Sequence, residues 1–246
     1  MLCAALNLYE SNEVAEMRKS VYAGPGYTVF KSFIAPDIAR DLGKRWFSGM
    51  YNHLLHDGFI KNQELAKDTP SFLIRRPNEC DWSICHQIWQ APLDETAHNI
   101  AMECQRMRNL IEGRPLYYAT RIHDSLVMQY RLCRTLSPGV TVKPHADFME
   151  ESRHDPSGSH AFDPRRTQMT LFLSDYGTDY DEGGFKFMTN DERYVTFGRD
   201  VDVGAGDLVI WKYTNKHEVS DVRVLNDSVL GFSRIVFPLF EGVMAR

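Results

Sequence analysis

The chain has 246 residues, 43% hydrophobic and 25% charged, the proportions of a folded globule; disorder, collagen and coiled coil are excluded as its main state. Lys and Arg number 28 against 33 Asp and Glu, a formal net charge of −5, so no one-signed positive field exists to attract nucleic acid, and no nucleic-acid partner is expected. A chain of this length buries roughly 70–75% of the surface it exposes when unfolded, so stability alone calls for neither disulfide nor structural zinc.

Glu10, Glu13 and Glu16 fall where a signal peptide would run its apolar core, and no apolar run approaches the roughly 20 residues of a membrane span. The five cysteines, Cys3, Cys80, Cys85, Cys104 and Cys133, are odd in number and scattered without a CxxC pair, the pattern of reduced thiols. A cytoplasmic protein with no membrane partner is expected. A short strand follows at Tyr27–Phe33, then a stretch from Pro36 to about Leu55 with apolar residues at helical intervals. Ala97, Ile100, Ala101, Cys104, Met107 and Ile111 recur at steps of three and four, and Gly113 stops this second helix. Helices are expected to dominate up to about residue 115.

From Ser125 the periodicity shortens. SLVMQYRL, QMTLFLSDY, GGFKFM, GDLVIW and GFSRIVFPLF are separated by Gly, Asp, Asn and Pro clusters, the spacing of strands and turns in a β-sandwich or barrel. No linker rich in Ser, Gly or Pro divides the chain, so residues 1–246 read as one mainly β (α+β) domain. Its helix-rich part, 1–115, covers one sheet of a β core at about 116–240.

Within the β part stands His145-Ala146-Asp147. In a strand, residues i and i+2 share a face, so the imidazole and the carboxylate can converge on one ion. A His-x-Asp triplet arises readily by chance, and position supplies the second clue: His217 follows an apolar strand 70 residues beyond Asp147, far enough for the chain to return to the same end of a jelly roll. Two nitrogens and a carboxylate with other positions open suit non-haem Fe(II), whereas structural zinc would close four ligands and no Cys lies nearby. The bland alternative is that His217 is a satisfied loop histidine. Arg234 sits in the otherwise apolar GFSRIVFPLF, and a buried guanidinium needs an anion, either a distant acidic side chain or a ligand carboxylate.

Taken in order, a strand ending in Tyr130, His145-x-Asp147, Glu182-Gly183-Gly184-x-Phe, Gly206-Asp207 before an apolar strand, His217-x-Val and Arg234 resemble the Fe(II)/2-oxoglutarate-dependent dioxygenases, and among them the prolyl-4-hydroxylase-like branch. The resemblance spans roughly Leu126 to Phe240, and GYTVFKSFIAPDIARDL resembles the strand and helix with which such enzymes open. It implies a double-stranded β-helix (jelly roll) in which His145, Asp147 and His217 hold Fe(II). It also implies that Arg234 and Tyr130 bind the distal carboxylate of 2-oxoglutarate and that O2 is consumed. Arg234 lies 17 positions after His217, further than the family's usual ten to twelve; Arg223, at six, is the rival. Halogenases of this superfamily carry a small residue at the position of Asp147, so the intact carboxylate implies hydroxylation or a related hydrogen abstraction.

Between Phe148 and Gln168 runs a polar insertion too long for an ordinary hairpin, the kind that forms lids and binding loops. Arg165 and Arg166 in it could clamp a carboxylate or phosphate of a small substrate, with His154 and His160 at the entrance; the alternative is a solvated loop. Arg75 and Arg76 form a weaker candidate. The expected substrate is a small polar metabolite, amino-acid-like or a biosynthetic natural-product intermediate. A peptidyl or protein hydroxylase is the competing enzyme, and a non-oxidative cupin-like metal-binding module is the alternative of another class.

Overall fold

The computed structural model describes residues 12–48, 55–57, 71–75, 82–87, 94–120, 126–136, 142–147, 164–237 and 239–241; at 55–57, 71–75, 82–87, 126–130 and 239–241 it describes the backbone alone. Helix α1 (Glu13–Tyr22) was not among the expected elements, since it buries just Val14 and Val21 and so carries no full apolar stripe. Helix α2 (Pro36–Phe47) opens with Pro in its first turn, where the missing N–H has no helical partner to lose. Its buried residues, Ala39, Leu42, Gly43, Trp46 and Phe47, follow the helical period. It stops well short of Leu55, just before Gly49 in the sequence. Helix α3 (Glu95–Glu112) is capped by Asp94, whose side chain accepts from the Ala97 N–H at 3.0 Å, and it ends at Gly113 with φ +69°. All six residues of its expected apolar face are buried.

Thirteen strands are described. In the larger sheet the order is β1 (Tyr27–Phe30), β10 (Leu208–Lys212), β7 (Thr167–Phe172), β12 (Phe232–Val236), β5 (Leu126–Thr135), β4 (Trp82–Gln87), β3 (Ser71–Arg75) and β2 (Leu55–Asp57), with β13 (Leu239–Glu241) also paired to β5. The smaller sheet runs β6 (Val142–His145), β11 (His217–Ser220), β8 (Gly184–Met188) and β9 (Tyr194–Thr196). Pairing is antiparallel except between β2 and β3. Strands β2, β3 and β4 lie where helices were expected to dominate. They are three to six residues long, too short for their own alternation to announce them, and β4 pairs residue by residue with β5 from Trp82↔Arg134 to Gln87↔Gln129.

The larger sheet has a different core on each face. Leu132, Met169, Leu171, Leu208, Ile210 and Ile235 pack with the helices, while Phe172, Phe185, Phe187, Phe197, Val209, Trp211 and Phe232 fill the space between the two sheets. The layers are therefore helices, large sheet and small sheet, the jelly-roll arrangement with helices on one sheet. Polar groups tie the layers. Arg108 of α3 donates to Gln168 Oε1 at 2.9 Å and to the Phe237 carbonyl, and Glu112 accepts from both the N–H and the hydroxyl of Thr167 at 2.8 Å.

Arg40 of α2 grips the turn after β7, reaching Asp175 Oδ2 at 2.6 Å and both Asp179 oxygens at 2.6 and 3.0 Å. Burial pushes the Asp179 carboxyl up, but Arg40, the Ser228 hydroxyl and the Asp175 amide together hold it below its ordinary value. A carboxyl held down in the folded state contributes stability above its unfolded value of about 3.9 and loses it as pH falls through the folded one. Asp179→Asn should therefore cost about 2 kcal/mol in urea unfolding at pH 7. That penalty should shrink as the medium is acidified below about pH 4; one that ignores pH would sink the ion-pair account.

Candidate metal centre

Strand β6 ends at His145 and β11 begins at His217, and the two are direct partners across the antiparallel pair. Their ring centroids lie 4.3 Å apart. The register slips between His217 and Val219, an irregularity of the kind that re-aims side chains at a functional edge. β6 is an outer strand of the small sheet, which is where Pro144, lacking an N–H, can be accommodated.

Asp147 does not sit in the strand. It occupies a bend just after β6, so the bend, not the i, i+2 pleat expected from sequence, turns its carboxylate toward both rings. Asp147 Oδ1 lies 3.3 Å from His145 Nε2 and 3.7 Å from His217 Nε2. One ligand atom from each of the three residues falls within 4.8 Å of the others, so the cluster could hold a metal ion. Each Nδ1 faces a backbone carbonyl, His145 that of Lys143 at 2.8 Å and His217 that of Asn215 at 3.2 Å. This arrangement calls for a proton on Nδ1 and leaves Nε2 as the ligand atom.

The two imidazoles differ in setting. His145 is exposed, and its hydrogen bond with Asp147 holds it above the ordinary histidine value. His217 is 7% exposed, with its ring centroid 4.5 Å from that of Trp211 and 5.9 Å from that of Phe185. Burial pushes it below the ordinary value; Asp147 acts the other way, and Arg234 adds to the depression.

Arg234 lies on β12 between β5 and β7, in register with Cys133 and Phe172. It is 6% exposed, its guanidinium carbon is 4.7 Å from the Phe232 ring centroid, and its Nη1 has no hydrogen-bond partner among the described residues. Arg223 is the opposite case: its side chain is 59% exposed and it pairs with Asp181 at 2.5 Å and Glu182 at 3.0 Å. Tyr130 belongs to β5 opposite His86, its side chain outside the described residues. Arg165 is exposed and accepts at its carbonyl from the Tyr22 hydroxyl at 2.5 Å. Arg166 is buried, 5.9 Å from the Tyr213 ring centroid. His154, His160 and Arg76 lie outside the described residues, and Arg75 is described in backbone only. Glu218, beside His217, pairs with Lys186 at 3.1 Å.

Sequence reading missed Tyr213. Burial pushes its hydroxyl up to about 12; Asp147 adds to the rise while Arg166, Arg108 and Arg131 oppose it. Both the cluster's carboxylate and these arginines are therefore near enough to act on it. Its one sequence clue is that it lies four positions before His217, in the turn joining β10 to β11.

Residues 128–238 match the pattern of the 2OG-Fe(II) oxygenase superfamily. No curated protein matches the chain. Many solved structures share the fold, the following three among them. A Pseudomonas putida prolyl-4-hydroxylase is 14% identical over 93% of this chain and 98% of that one, with TM-score 0.54. EctD from S. alaskensis is 16% identical over 97% of this chain and 79% of that one, with TM-score 0.53. The non-heme alpha ketoglutarate dependent carbocyclase SnoK from nogalamycin biosynthesis is 11% identical over 96% and 85%, with TM-score 0.55. Likeness at these identities concerns the fold, and the fold is the double-stranded β-helix.

His217→Ala and Asp147→Ala should each weaken Mn(II) binding by about 100-fold or more in calorimetric titration, since each removes one of three ligands. Glu218→Ala should leave it unchanged; equal losses from all three would mean that the cluster is not the metal site.

Proposed function

Because residues 128–238 match the 2OG-Fe(II) oxygenase superfamily, we propose that the chain is an Fe(II)- and 2-oxoglutarate-dependent hydroxylase of a small polar metabolite, with His145, Asp147 and His217 as the iron ligands. One observation carries this: the three ligand residues converge, and Arg234, near enough to act electrostatically on His217, buries a guanidinium nitrogen with no hydrogen-bond partner among the described residues. Two imidazole nitrogens and one carboxylate fit Fe(II). A buried, unpaired guanidinium nitrogen fits an incoming carboxylate, because leaving it bare is costly and a charge-assisted hydrogen bond is strong.

When bound, Fe(II) supplies the oxidative decarboxylation of 2-oxoglutarate to succinate and carbon dioxide, with O2 as oxidant, and the removal of a hydrogen from the substrate. The chain's own residues do the rest. The Lys143 and Asn215 carbonyls keep a proton on Nδ1 of each imidazole and so turn Nε2 to the metal. Trp211 and Phe185 keep the His217 side of the site dry. Arg234 anchors the distal carboxylate of 2-oxoglutarate, with Tyr130 as a donor to the same group. Arg165 and Arg166 bind an anionic or polar group of the substrate, Arg166 from beside Tyr213. In this assignment residues 1–246 form one catalytic domain working in the cytoplasm. Among the described residues no helix is long and apolar enough to cross a membrane, and Cys104 and Cys133 are not in disulfides.

The small-molecule class draws support from SnoK, a carbocyclase of nogalamycin biosynthesis with the same fold. The Pseudomonas putida prolyl-4-hydroxylase favours the second reading, a peptidyl hydroxylase. Succinate release with Fe(II), 2-oxoglutarate and fractionated cell extract separates them: turnover is expected with the metabolite fraction, and turnover confined to polypeptide fractions would overturn the first. A cupin-like binding module would release no succinate, and His145→Ala would spare whatever activity it has. Arg234→Gln should raise KM for 2-oxoglutarate about 30-fold or more, since it removes a charge-assisted bond. Arg223→Gln, at an exposed pair, should change it less than about threefold. The reverse order would transfer the anchor to Arg223.

A further inference from the structure

We propose that Arg131, Arg166 and Tyr213 form an anion-binding subsite of the substrate pocket, so that the substrate is a small acid whose carboxylate or phosphate lies away from the carbon oxidised; this rests on the oxygenase reading of the metal centre. The three residues gather on the inner face of the large sheet. Trp211 belongs to the core between the sheets, and its Nε1 donates to the Thr170 hydroxyl at 3.2 Å, so Thr170 points inward. Val236 of β12 is the direct partner of both Thr170 and Arg131, and direct partners share a face, so Arg131 points inward too. Arg166 stands two residues before Gln168, the partner of Trp211. Its carbonyl accepts from the Tyr213 N–H at 3.2 Å, which carries the pairing of β10 with β7 one step further. The Arg166 guanidinium carbon lies 5.9 Å from the Tyr213 ring centroid. Arg131 is two residues along β5 from Cys133, the partner of Arg234, so the subsite and the co-substrate anchor are separate positions on one face.

Positive charge accumulates here. Arg131, Arg166 and the buried Arg108 of α3 all act on Tyr213, and Arg166 and Arg108 also act on each other. Asp147, which acts on the same tyrosine, is committed to the metal in the proposed assignment. Glu112, which acts on Arg108, already accepts from the Thr167 amide and hydroxyl and from Arg114 at 2.7 Å. Guanidiniums gathered in a low dielectric repel one another, and an anion received among them relieves that repulsion. Arg108 spends its bonds on Gln105, Gln168 and the Phe237 carbonyl, so it is a positioning residue that adds field. Arg131 and Tyr213 are half-buried and within a ligand's reach, and burial keeps the proton on the Tyr213 hydroxyl at neutral pH, a third donor beside two guanidiniums. Because Asp147 is near enough to act on this group, an acid gripped here presents its far end to the metal centre.

The test is calorimetric titration of sulfate and of acetate, in chloride of matched ionic strength, into protein loaded with Mn(II) and N-oxalylglycine. Saturable binding in the millimolar range is expected, sulfate ahead for a phosphate substrate and acetate ahead for a carboxylate. Arg131→Gln and Arg166→Gln should each weaken it about tenfold or more and Tyr213→Phe about threefold. Arg131→Lys, which keeps the charge, should lose less than Arg131→Gln. Affinities for Mn(II) and N-oxalylglycine should stay within about threefold of the parent. Should Arg166→Gln lose its thermal transition, the variants at half-buried Arg131 and Tyr213 decide. With Fe(II) and 2-oxoglutarate, succinate should come from the metabolites that an anion exchanger retains. Saturable binding of neither anion, or binding unchanged in the glutamine variants, would overturn the subsite. Loss of N-oxalylglycine binding in Arg131→Gln would give that arginine to the co-substrate and overturn it as well. Succinate from the unretained metabolites alone would overturn the acidic substrate and leave the oxygenase reading standing. Anion binding that follows the arginines, with no succinate from any fraction, would overturn the oxygenase reading and leave the anion site standing.

Discussion

One strand register decides whether this protein has a metal centre. His145 and His217 face each other because β6 and β11 pair at those two residues, and a slip by one would send one imidazole to the opposite face of the sheet. The register is braced from behind. β11 is paired on its other side with β8, from His217↔Phe187 to Ser220↔Gly184. At the end of that pairing Gly183, at φ +66°, lets the backbone pass where a Cβ would lie 1.7 Å from the Asp221 carbonyl. No other residue tolerates both that conformation and that approach. The turn thus acts at a distance, holding β11 in the one alignment that sets its first residue against the last of β6.

In the proposed assignment, burial between the sheets serves metal binding and anion binding together. His217 lies against Trp211 and Phe185, where burial disfavours its protonated form. The guanidinium of Arg234 pushes the same way. An imidazole must be neutral to ligate, so the cation assigned to the co-substrate also helps keep the ligand ready for metal. The low dielectric that makes an unpaired guanidinium unfavourable is what makes its capture of a carboxylate strong.

Much of the fold can be read along the chain. The six apolar positions of α3 and its stop at Gly113 follow from a period that only a buried helix face explains. Strands β5, β7, β8, β10 and β12 follow from short apolar runs cut by turn residues, whereas β9 and β11 lie outside those runs. The rest needed partners. β2 to β4 are too short to declare themselves and become strands by joining β5. α1 buries too little to show a stripe. At the site, the three metal-centre residues and Arg234 are legible because charged or ligating groups stand out in apolar strands. Asp147 was placed by the wrong device, a pleat instead of a bend, yet it reaches the same point. Tyr213 carries no such contrast: a tyrosine in a turn is an ordinary residue until its neighbours are known.

The sequence by itself determined the inventory: which side chains can ligate, which cation sits in an apolar strand, and which runs alternate like strands. Those are properties of local composition and period. The tertiary structure decided which of them meet. The sequence sets Arg234 in an apolar run and Arg223 in a polar one, but it is pairing across β5, β12 and β7 that buries Arg234 with a nitrogen lacking a hydrogen-bond partner among the described residues, and solvent with Asp181 and Glu182 that satisfies Arg223. That choice depends on strand order and register between residues far apart in the chain, and nothing within a local window of sequence encodes it.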